Sequence, residues 1–192
     1  MNEKLEKLRK MVEECKKCDL WKGRNKVVFG EGPCDARIML VGLGPGFHED
    51  KQGRPFVGAA GKFLNELLQL AGLKREEVFI TNVIKCYLPE NKASEDEIKA
   101  CTPYLDEQIK IIKPEIIITL GQVAASYLLS KFNLKVEPMS KLHGKIFKIR
   151  SLLGRIKIIV MYHPATALYN PRMREILRDD WKKLRNILEE IR

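Results

Sequence analysis

The sequence predicts an α/β protein with three α/β/α layers, in which helices cover both faces of a central, mostly parallel sheet of four to five strands. Two observations predict this fold. Short apolar runs alternate with amphipathic helical patterns along the 192 residues, the order that builds parallel sheets from strand–helix–strand units. Glycine-rich or polar motifs follow four of the apolar runs, as expected where strands end at a sheet edge. Without an internal repeat or linker, we expect one domain over residues 1–192.

The first predicted element is an N-terminal helix at residues 3–15, because Leu5, Leu8 and Val12 share one face. Ser94, with Glu97 three positions later, predicts a capped helix start. Pro103 predicts an interruption or kink in that helix. The other predicted helices are 61–73, 94–112, 122–132 and 172–192, and the predicted strands are 37–42, 77–82, 115–121, 144–150 and 155–164.

Charge and hydropathy restrict the partners of the chain. The net charge is +10, and residues 141–192 alone carry 13 basic and 5 acidic side chains. A basic surface attracts polyanions such as nucleic acid, although a solvated Lys/Glu surface of a heat-adapted protein explains the same composition. No apolar run is long enough to span a bilayer, and the N-terminus is charged and amphipathic. We therefore expect a cytoplasmic protein without a membrane partner.

The chain contains five cysteines, and because we expect no export signal, a disulfide framework is not predicted. Cys15 and Cys18 form a C-x-x-C pair, Cys86 follows the second predicted strand, and Cys101 lies in the next predicted helix. Four thiolates from these positions can complete a metal centre, either zinc or an iron–sulfur cluster. Buried free thiols, or a redox pair at the C-x-x-C motif, are the alternatives. Cys34 remains as an ordinary small residue.

The segment "VGLGPGFHEDKQGRPFVGAAG", residues 41–61, carries six glycines between a predicted strand and a predicted helix. It matches neither a dinucleotide-binding fingerprint nor a P-loop, because both the glycine spacing and the Gly-Lys-Ser/Thr sequence are missing. Gly42, Gly44 and Gly46 allow backbone amides to approach a small planar ligand or an anion. A tight strand-to-helix turn alone would need fewer glycines.

Three further side chains, one in a loop and two at strand ends, are candidates for binding a ligand. Phe56 lies in the same loop, where it can stack on a base or anchor the core. Asn82 ends a strand, and its amide either matches the edge of a nucleobase or forms a turn. His163 ends another strand and can hydrogen-bond a developing anion. His48 and His143 are predicted to lie on the surface or in loops.

Four motifs together with the four cysteines outside Cys34 resemble the family 4 uracil-DNA glycosylases over nearly the whole chain. The motifs are "GLGPGFHEDKQGRPFVGAAGKFL", "FITNVIKC", "TLG" and "YHPATALYNP". The resemblance implies the uracil-DNA glycosylase-like fold and hydrolysis of the N-glycosidic bond of deoxyuridine in DNA, which releases uracil and leaves an abasic site for base excision repair. It also implies a thermophilic source and a structural [4Fe–4S] cluster.

The resemblance implies roles for individual residues. The four cysteines correspond to the cluster ligands. Phe56 corresponds to the ring that stacks on flipped uracil, Asn82 to the amide that reads the uracil edge, and His163 to the group that hydrogen-bonds the uracil O2. Glu49 corresponds to an acidic position near the C5 edge. The catalytic set implied is His163, Asn82 and Glu49, and the uracil pocket includes the backbone of residues 42–44.

The resemblance also implies contacts with DNA and other partners. The segment after His163, "PATALYNPRMR", corresponds to the loop that enters the minor groove, with Ala167 or Leu168 as the wedge and Arg172 on the DNA. Single- or double-stranded DNA containing uracil is the implied partner of a monomer. A sliding clamp is a further partner suggested by the family, although the C-terminus carries no convincing clamp-binding motif.

Two positions depart from the family pattern. Leu43 stands where the family usually has Glu in "GEAPG" or "GEGPG", a candidate for positioning the attacking water, and Tyr87 replaces an Arg beside the cluster. Glu49 and Asp50 are the nearest carboxylates in sequence that can activate water instead. Three interpretations stay open: a uracil-DNA glycosylase that works without the missing Glu, a catalytically impaired protein that binds damaged DNA, or a glycosylase for another deaminated base.

Overall fold

The computed structural model describes residues 2–152 and 154–191, and its centre is a five-stranded sheet with the strand order β2-β1-β3-β5-β4. β1, β2, β3 and β5 run parallel, and β4 pairs antiparallel with β5. The predicted mostly parallel sheet is thereby confirmed. The strands are β1 (Ile38–Gly42), β2 (Phe79–Asn82), β3 (Ile116–Leu120), β4 (Ile146–Ser151) and β5 (Gly154–Met161).

Helices cover both faces of the sheet, as the three-layer prediction requires. Apolar side chains of α1, α4 and α5 pack on one face, and those of α3 and α7 pack on the other. The helices are α1 (Glu3–Glu13), α2 (Phe47–Gln52), α3 (Ala59–Leu70), α4 (Glu95–Ile112), α5 (Gln122–Lys131), α6 (Met139–Leu142) and α7 (Pro171–Ile191). Short 3-10 turns occur at Asp19–Lys22, Arg75–Glu77 and Pro164–Ala167.

The apolar strands are explained by burial on both faces. In β1, Met39 and Val41 point to the layer of α1, α4 and α5, whereas Leu40 points to the layer of α3 and α7. All three side chains are fully buried. Such a strand shows a continuous apolar run rather than an alternating one. The same packing brings the carboxyl ends of four parallel strands to one edge.

The structure differs from the sequence prediction at several element ends. The 41–61 segment contains α2, a short helix where only a loop was predicted. α1 ends at Glu13, two residues before the predicted end. The capping box of Ser94 and Glu97 is confirmed, and α4 continues through Pro103. Arg192, the last residue of the predicted terminal helix, lies outside the described residues. Within the described ranges, no helix is long and apolar enough to cross a membrane.

Candidate active site

A pocket of about 400 Å³ lies at the carboxyl edge of the sheet, where β1, β2 and β5 end. It brings together most of the predicted site residues from separate parts of the chain. A cavity of about 450 Å³ lies at the opposite edge, but its Arg37 and Glu115 pair with each other. The pocket at the carboxyl edge is lined by Leu43, Gly44, Gly46, His48, Glu49, Phe56, Gly58, Ala59, Ala60, Asn82, Asn91, His163, Ala165 and Leu168.

Asn82 lines this pocket and carries a buried acceptor without a partner. It is the last residue of β2, pairs in register with Gly42 of β1, and is 2% exposed. Its Oδ1 atom has no hydrogen-bond partner among the described residues. A Cβ at Gly42 would lie 2.5 Å from this oxygen, so only glycine leaves room for it. Because buried polar atoms are nearly always paired, an oxygen left free at a pocket indicates a site for a donor of a ligand.

Phe56 forms one wall of the pocket from the loop between α2 and α3. Its side chain is buried, and its ring stacks on the His163 ring with centroids 5.6 Å apart and an angle of 29°. The backbone of Phe56 has φ +49°, a left-handed conformation that is strained for a bulky residue. Gly61 lies directly against it, since a Cβ there would be 2.0 Å from the Phe56 carbonyl oxygen.

His163 presents a neutral hydrogen-bond donor. The residue caps the turn Pro164–Ala167, and its Nδ1 accepts a hydrogen bond from the Ala165 amide at 3.1 Å. This bond assigns the ring proton to Nε2. Burial lowers the pKa of His163 to about 4, although Glu49 acts in the opposite direction. The ring is therefore uncharged at neutral pH, with Nε2–H available as a donor.

The two carboxylates in α2 have different surroundings. Glu49 lines the pocket, and its Oε1 accepts hydrogen bonds from the amides of Val57 and Gly58 at 3.1 and 3.0 Å. These contacts cap the amino end of α3. Asp50 is 2% exposed and accepts from the amide and side chain of Asn25 at 2.8 and 2.6 Å. Asp50 is therefore excluded as a water activator, which corrects the sequence prediction for that residue.

The glycine-rich loop supplies backbone and an apolar wall. The Leu43 carbonyl accepts from the Ile84 amide at 2.9 Å, so the loop continues the pairing of β1 with β2. The amides of Leu43 and Gly44 donate no hydrogen bond to other groups in the described part of the chain. A Cβ at Gly44 would lie 2.5 Å from Leu88 Cδ1. The glycines thus allow close packing, and two amides beside the pocket remain free to donate.

The segment after His163 divides into buried and exposed parts. Ala167 is 2% exposed and packs in the core, so it cannot serve as the predicted wedge. Leu168 lines the pocket mouth, and Arg172 lies exposed in the first turn of α7. Between them, Tyr169 is 94% exposed, and sequence reasoning did not select it. The exposure that marks Tyr169 as a candidate contact is a property of the folded chain, so the sequence alone could not show it.

Two further pocket residues were missed. His48 is exposed on α2, as predicted for the surface, yet it lines the pocket. Asn91 reaches the pocket from the loop between β2 and α4, with φ +52°. His143 lies away from the pocket, where its Nδ1 and the Asp180 Oδ2 are 2.7 Å apart. The only sequence signal for His48 was its position next to Glu49, and Asn91 had none.

The four predicted cysteines line a second, much smaller cavity of about 20 Å³, together with Arg24. Cys86 and Cys101 are 8% exposed, and no disulfide joins any of the five cysteines. Cys34 does not line this cavity. The Arg24 guanidinium donates to Cys86 Sγ at 3.3 Å and to the Cys15 carbonyl at 2.9 Å. Cysteines that lie far apart in the sequence are therefore brought together, and Arg24 joins the segment of Cys15 to Cys86.

The donor set of this cavity is compatible with a metal cluster. Burial raises the pKa of Cys101 to about 11, so a thiolate there needs a positive partner such as a metal. No group of three His, Cys, Asp or Glu side chains in residues 2–152 and 154–191 is placed to hold a single metal ion. Zinc requires sulfur at about 2.3 Å, hence closely grouped thiolates. Four cysteines are also the usual ligand set of an iron–sulfur group.

The fold and the pocket agree with comparisons to known proteins. Residues 29–189 match the uracil DNA glycosylase superfamily, so the chain belongs to that superfamily. At 50% identity it is similar to a type-4 uracil-DNA glycosylase of Sulfurisphaera tokodaii, with 95% of this chain and 84% of the relative covered. A type-4 uracil-DNA glycosylase of Archaeoglobus fulgidus is 41% identical, with 95% and 92% covered.

A third type-4 uracil-DNA glycosylase, from Thermotoga maritima, is 39% identical and covers 98% of this chain and 96% of its own length. The chain is therefore a member of the type-4 uracil-DNA glycosylase family. The resemblance inferred from the sequence motifs is confirmed.

Proposed function

We propose that this protein is a uracil-DNA glycosylase that hydrolyses the N-glycosidic bond of deoxyuridine in DNA, releasing uracil and leaving an abasic site. Membership of the type-4 family supports this activity. The observation that carries the proposal for the site is the unpartnered Asn82 Oδ1 in a pocket that also contains the neutral donor His163. An amide and a neutral imidazole together match the donor and acceptor edge of a pyrimidine.

The base reaches this pocket only after it leaves the DNA stack, because its glycosidic bond is inaccessible inside a duplex. A pocket of about 400 Å³ accommodates one base. The Phe56 ring offers a face for stacking, and the Asn82 amide orients the base by its polar edge. Stacking on an aromatic side chain contributes roughly 1–3 kcal/mol per base.

Negative charge develops on uracil as the bond to the sugar breaks. A neutral His163 Nε2–H can donate to the O2 oxygen where this charge grows, and the free amides of Leu43 and Gly44 provide further donors. Such preorganised donors stabilise the transition state more than the ground state. The departure of the base is thus assisted without a protonated histidine.

Water then captures the oxocarbenium-like sugar. Leu43 cannot position this water, because its side chain has no polar atom. Glu49 is the carboxylate that lines the pocket, with Oε1 bound to backbone amides and Oε2 not engaged by them. We assign Glu49 to the water. Since base departure is the difficult step, the absence of a Glu at position 43 is compatible with activity.

DNA is held outside the pocket by the segment that follows β5. Leu168 at the pocket mouth and Arg172 in α7 are the proposed contacts, with Tyr169 protruding between them. The basic segment 141–192 supplies additional phosphate contacts, which makes binding salt-dependent. The monomeric state stays a prediction. A sliding clamp and a cytoplasmic location stay predictions.

A [4Fe–4S] cluster is the proposed resident group of the cysteine cavity. Cys15, Cys18, Cys86 and Cys101 would hold it, with Arg24 beside the Cys86 sulfur. When bound, the cluster would cross-link the segment after α1, the loop after β2, and α4. Its role in the proposal is structural, and the chain's own side chains carry out the reaction.

Single-turnover excision tests this function. The wild-type protein and Leu43→Glu would be incubated with oligonucleotides that bear one uracil, hypoxanthine or xanthine. We expect an abasic product from uracil with the wild type, and little from the other two bases. Binding of uracil-containing DNA without product, with activity gained in Leu43→Glu, would instead identify a damaged-DNA-binding protein. Faster release of hypoxanthine or xanthine would overturn the assignment of uracil as substrate.

A further inference from the structure

The conformation of Phe56 needs an explanation, because it is unfavourable on its own. Phe56 has φ +49° although it carries a bulky side chain, whereas two of the other three described non-glycine residues with positive φ are asparagines. Asparagine tolerates this region much better than phenylalanine. Strain of this kind persists at functional sites only where surrounding contacts hold it.

Arg75 provides such contacts from a distant part of the chain. Its Nη2 donates to the Pro55 carbonyl at 2.6 Å, and its Nη1 donates to the Phe56 carbonyl at 2.9 Å. Nη1 also donates to Asn65 Oδ1 of α3 at 2.9 Å. The planar guanidinium thus bonds two consecutive carbonyls at once, which a lysine ammonium cannot do in the same geometry.

Glu31 anchors this arginine to the sheet. Its carboxylate accepts from Arg75 Nη2 at 3.1 Å and from Arg54 at 2.8 and 3.1 Å. The backbone of Glu31 exchanges hydrogen bonds with Ile80 of β2, two residues before Asn82. Burial raises the pKa of Glu31, but the hydrogen bonds and charges of the two arginines outweigh it and lower the pKa overall. Glu31 therefore stays charged at neutral pH.

We propose that Arg75 is a positioning residue for uracil recognition, which acts by holding Phe56 in its left-handed conformation. This inference rests on the proposed function. Arg75 does not line the pocket, so it acts through the loop carbonyls. Without it, the loop relaxes toward negative φ, and the Phe56 ring leaves its place against His163. Glu31 also connects Arg75 to β2, the strand that carries Asn82. One hydrogen-bond network therefore places both Phe56 and Asn82.

Arg54 offers a matched control. Arg54 and Arg75 both bond Glu31, but only Arg75 reaches the carbonyls of residues 55 and 56. In single-turnover assays on uracil-containing DNA, we expect Arg75→Gln to lower the excision rate by ~10-fold or more, a typical result of lost positioning. Arg54→Gln should stay within ~2-fold of wild type. Equal losses in both variants would overturn the proposal.

A double-mutant cycle separates positioning from general destabilisation. In the Phe56→Ala background, Arg75→Gln should lower the excision rate by less than a further ~2-fold, because the ring that Arg75 positions is gone. Additive losses would overturn the proposal. Affinity for uracil-free DNA should be unchanged in Arg75→Gln, whereas inhibition by free uracil should weaken. Circular dichroism and melting temperature would verify folding of each variant.

A second variant keeps the test valid if Arg75→Gln fails to fold. Gly61→Ala places a methyl group 2.0 Å from the Phe56 carbonyl oxygen and therefore displaces Phe56 without changing Arg75. We expect the same loss of excision and the same lack of additivity with Phe56→Ala. If the wild type excises uracil and Gly61→Ala or Arg75→Gln is equally active, only the positioning role of Arg75 is rejected. If the wild type itself is inactive, the proposed function is rejected.

Discussion

The pocket and the cysteine cavity lie at the two ends of the short segment from Asn82 to Cys86, yet they differ in nearly every physical property. The pocket measures about 400 Å³ and keeps an unpartnered amide oxygen at Asn82. The cavity measures about 20 Å³, and the basic side chains beside it, Arg24 and Lys85, are committed to hydrogen bonds. A large pocket with free donors and acceptors suits a transient ligand, whereas a small cavity lined by four cysteines suits a resident group.

The two regions share one buried polar network. The Lys85 Nζ donates to Thr81 Oγ1, the Asn82 carbonyl and Gln108 Oε1 at 2.6, 2.6 and 2.7 Å. Lys85, Thr81 and Gln108 are at most 1% exposed. A fully satisfied buried network of this kind makes the local structure rigid. The cavity can therefore support the pocket without taking part in the chemistry, and the following variants test this division.

The largest effect is expected from Cys86→Ala, which removes one donor from the cavity. Structural metal sites contribute on the order of 10 kcal/mol to folding. We therefore expect the variant to lose iron and to melt more than ~10 °C below the wild type, measured by calorimetry and iron analysis. Cys34→Ala is the control, because Cys34 lies outside the cavity and should leave both quantities unchanged. A stable Cys86→Ala protein without iron would show that the cavity does not support the fold.

Gly42→Ala should affect the pocket alone. The added Cβ would meet Asn82 Oδ1 at 2.5 Å and the Phe56 ring at 2.7 Å. Overpacking of this kind costs about 1–3 kcal/mol, so the variant folds while both side chains move. We expect single-turnover excision to fall ~100-fold, the scale of losing a preorganised contact. Gly23→Ala, with nothing within 4 Å of its Cβ, should retain wild-type excision. Comparable rates in the two variants would refute the tight packing around Asn82.

His163→Ala should lower excision by at least ~10-fold, because it removes a donor to the developing anion. The melting temperature should change little. His143→Ala is a suitable comparison, since His143 pairs with Asp180 away from the pocket and should affect stability rather than catalysis. Unchanged single-turnover excision in His163→Ala would eliminate the assigned role.

The smallest effect is expected from pH. Because burial lowers the pKa of His163 to about 4, the ring stays neutral as pH falls from about 8 to 5.5. Excision should vary less than ~3-fold over this range. Stability should decline as pH falls through about 6.5 toward 4, because the unfolded chain then binds a proton that the folded state does not. A kinetic inflection near pH 6.5 that disappears in His163→Ala would contradict a neutral ring.

Local sequence patterns predicted most of the helices and all five strands, and they singled out the chemically distinctive residues. The start of α4 depended on Ser94 and Glu97, which interact within one turn, and the prediction was confirmed. Asn82, His163 and the four cysteines were selected as candidates because few other residue types perform their chemistry, and the structure brings them to the pocket and the cysteine cavity. By contrast, α2 was missed, since its helix begins among glycines and is stabilised by Asp50 contacts to Asn25, 25 positions earlier in the chain.

The sequence by itself determined the alternation of strands and helices, the burial of the sheet on both faces, and the residue types of both sites, because these follow from periodicity and side-chain chemistry. Only the tertiary structure decided that Asp50 and Ala167 are buried, that Tyr169 is exposed, and that Arg75 holds Phe56. Burial and hydrogen-bond partners depend on segments that are distant in the chain, and they are decided when those segments pack together.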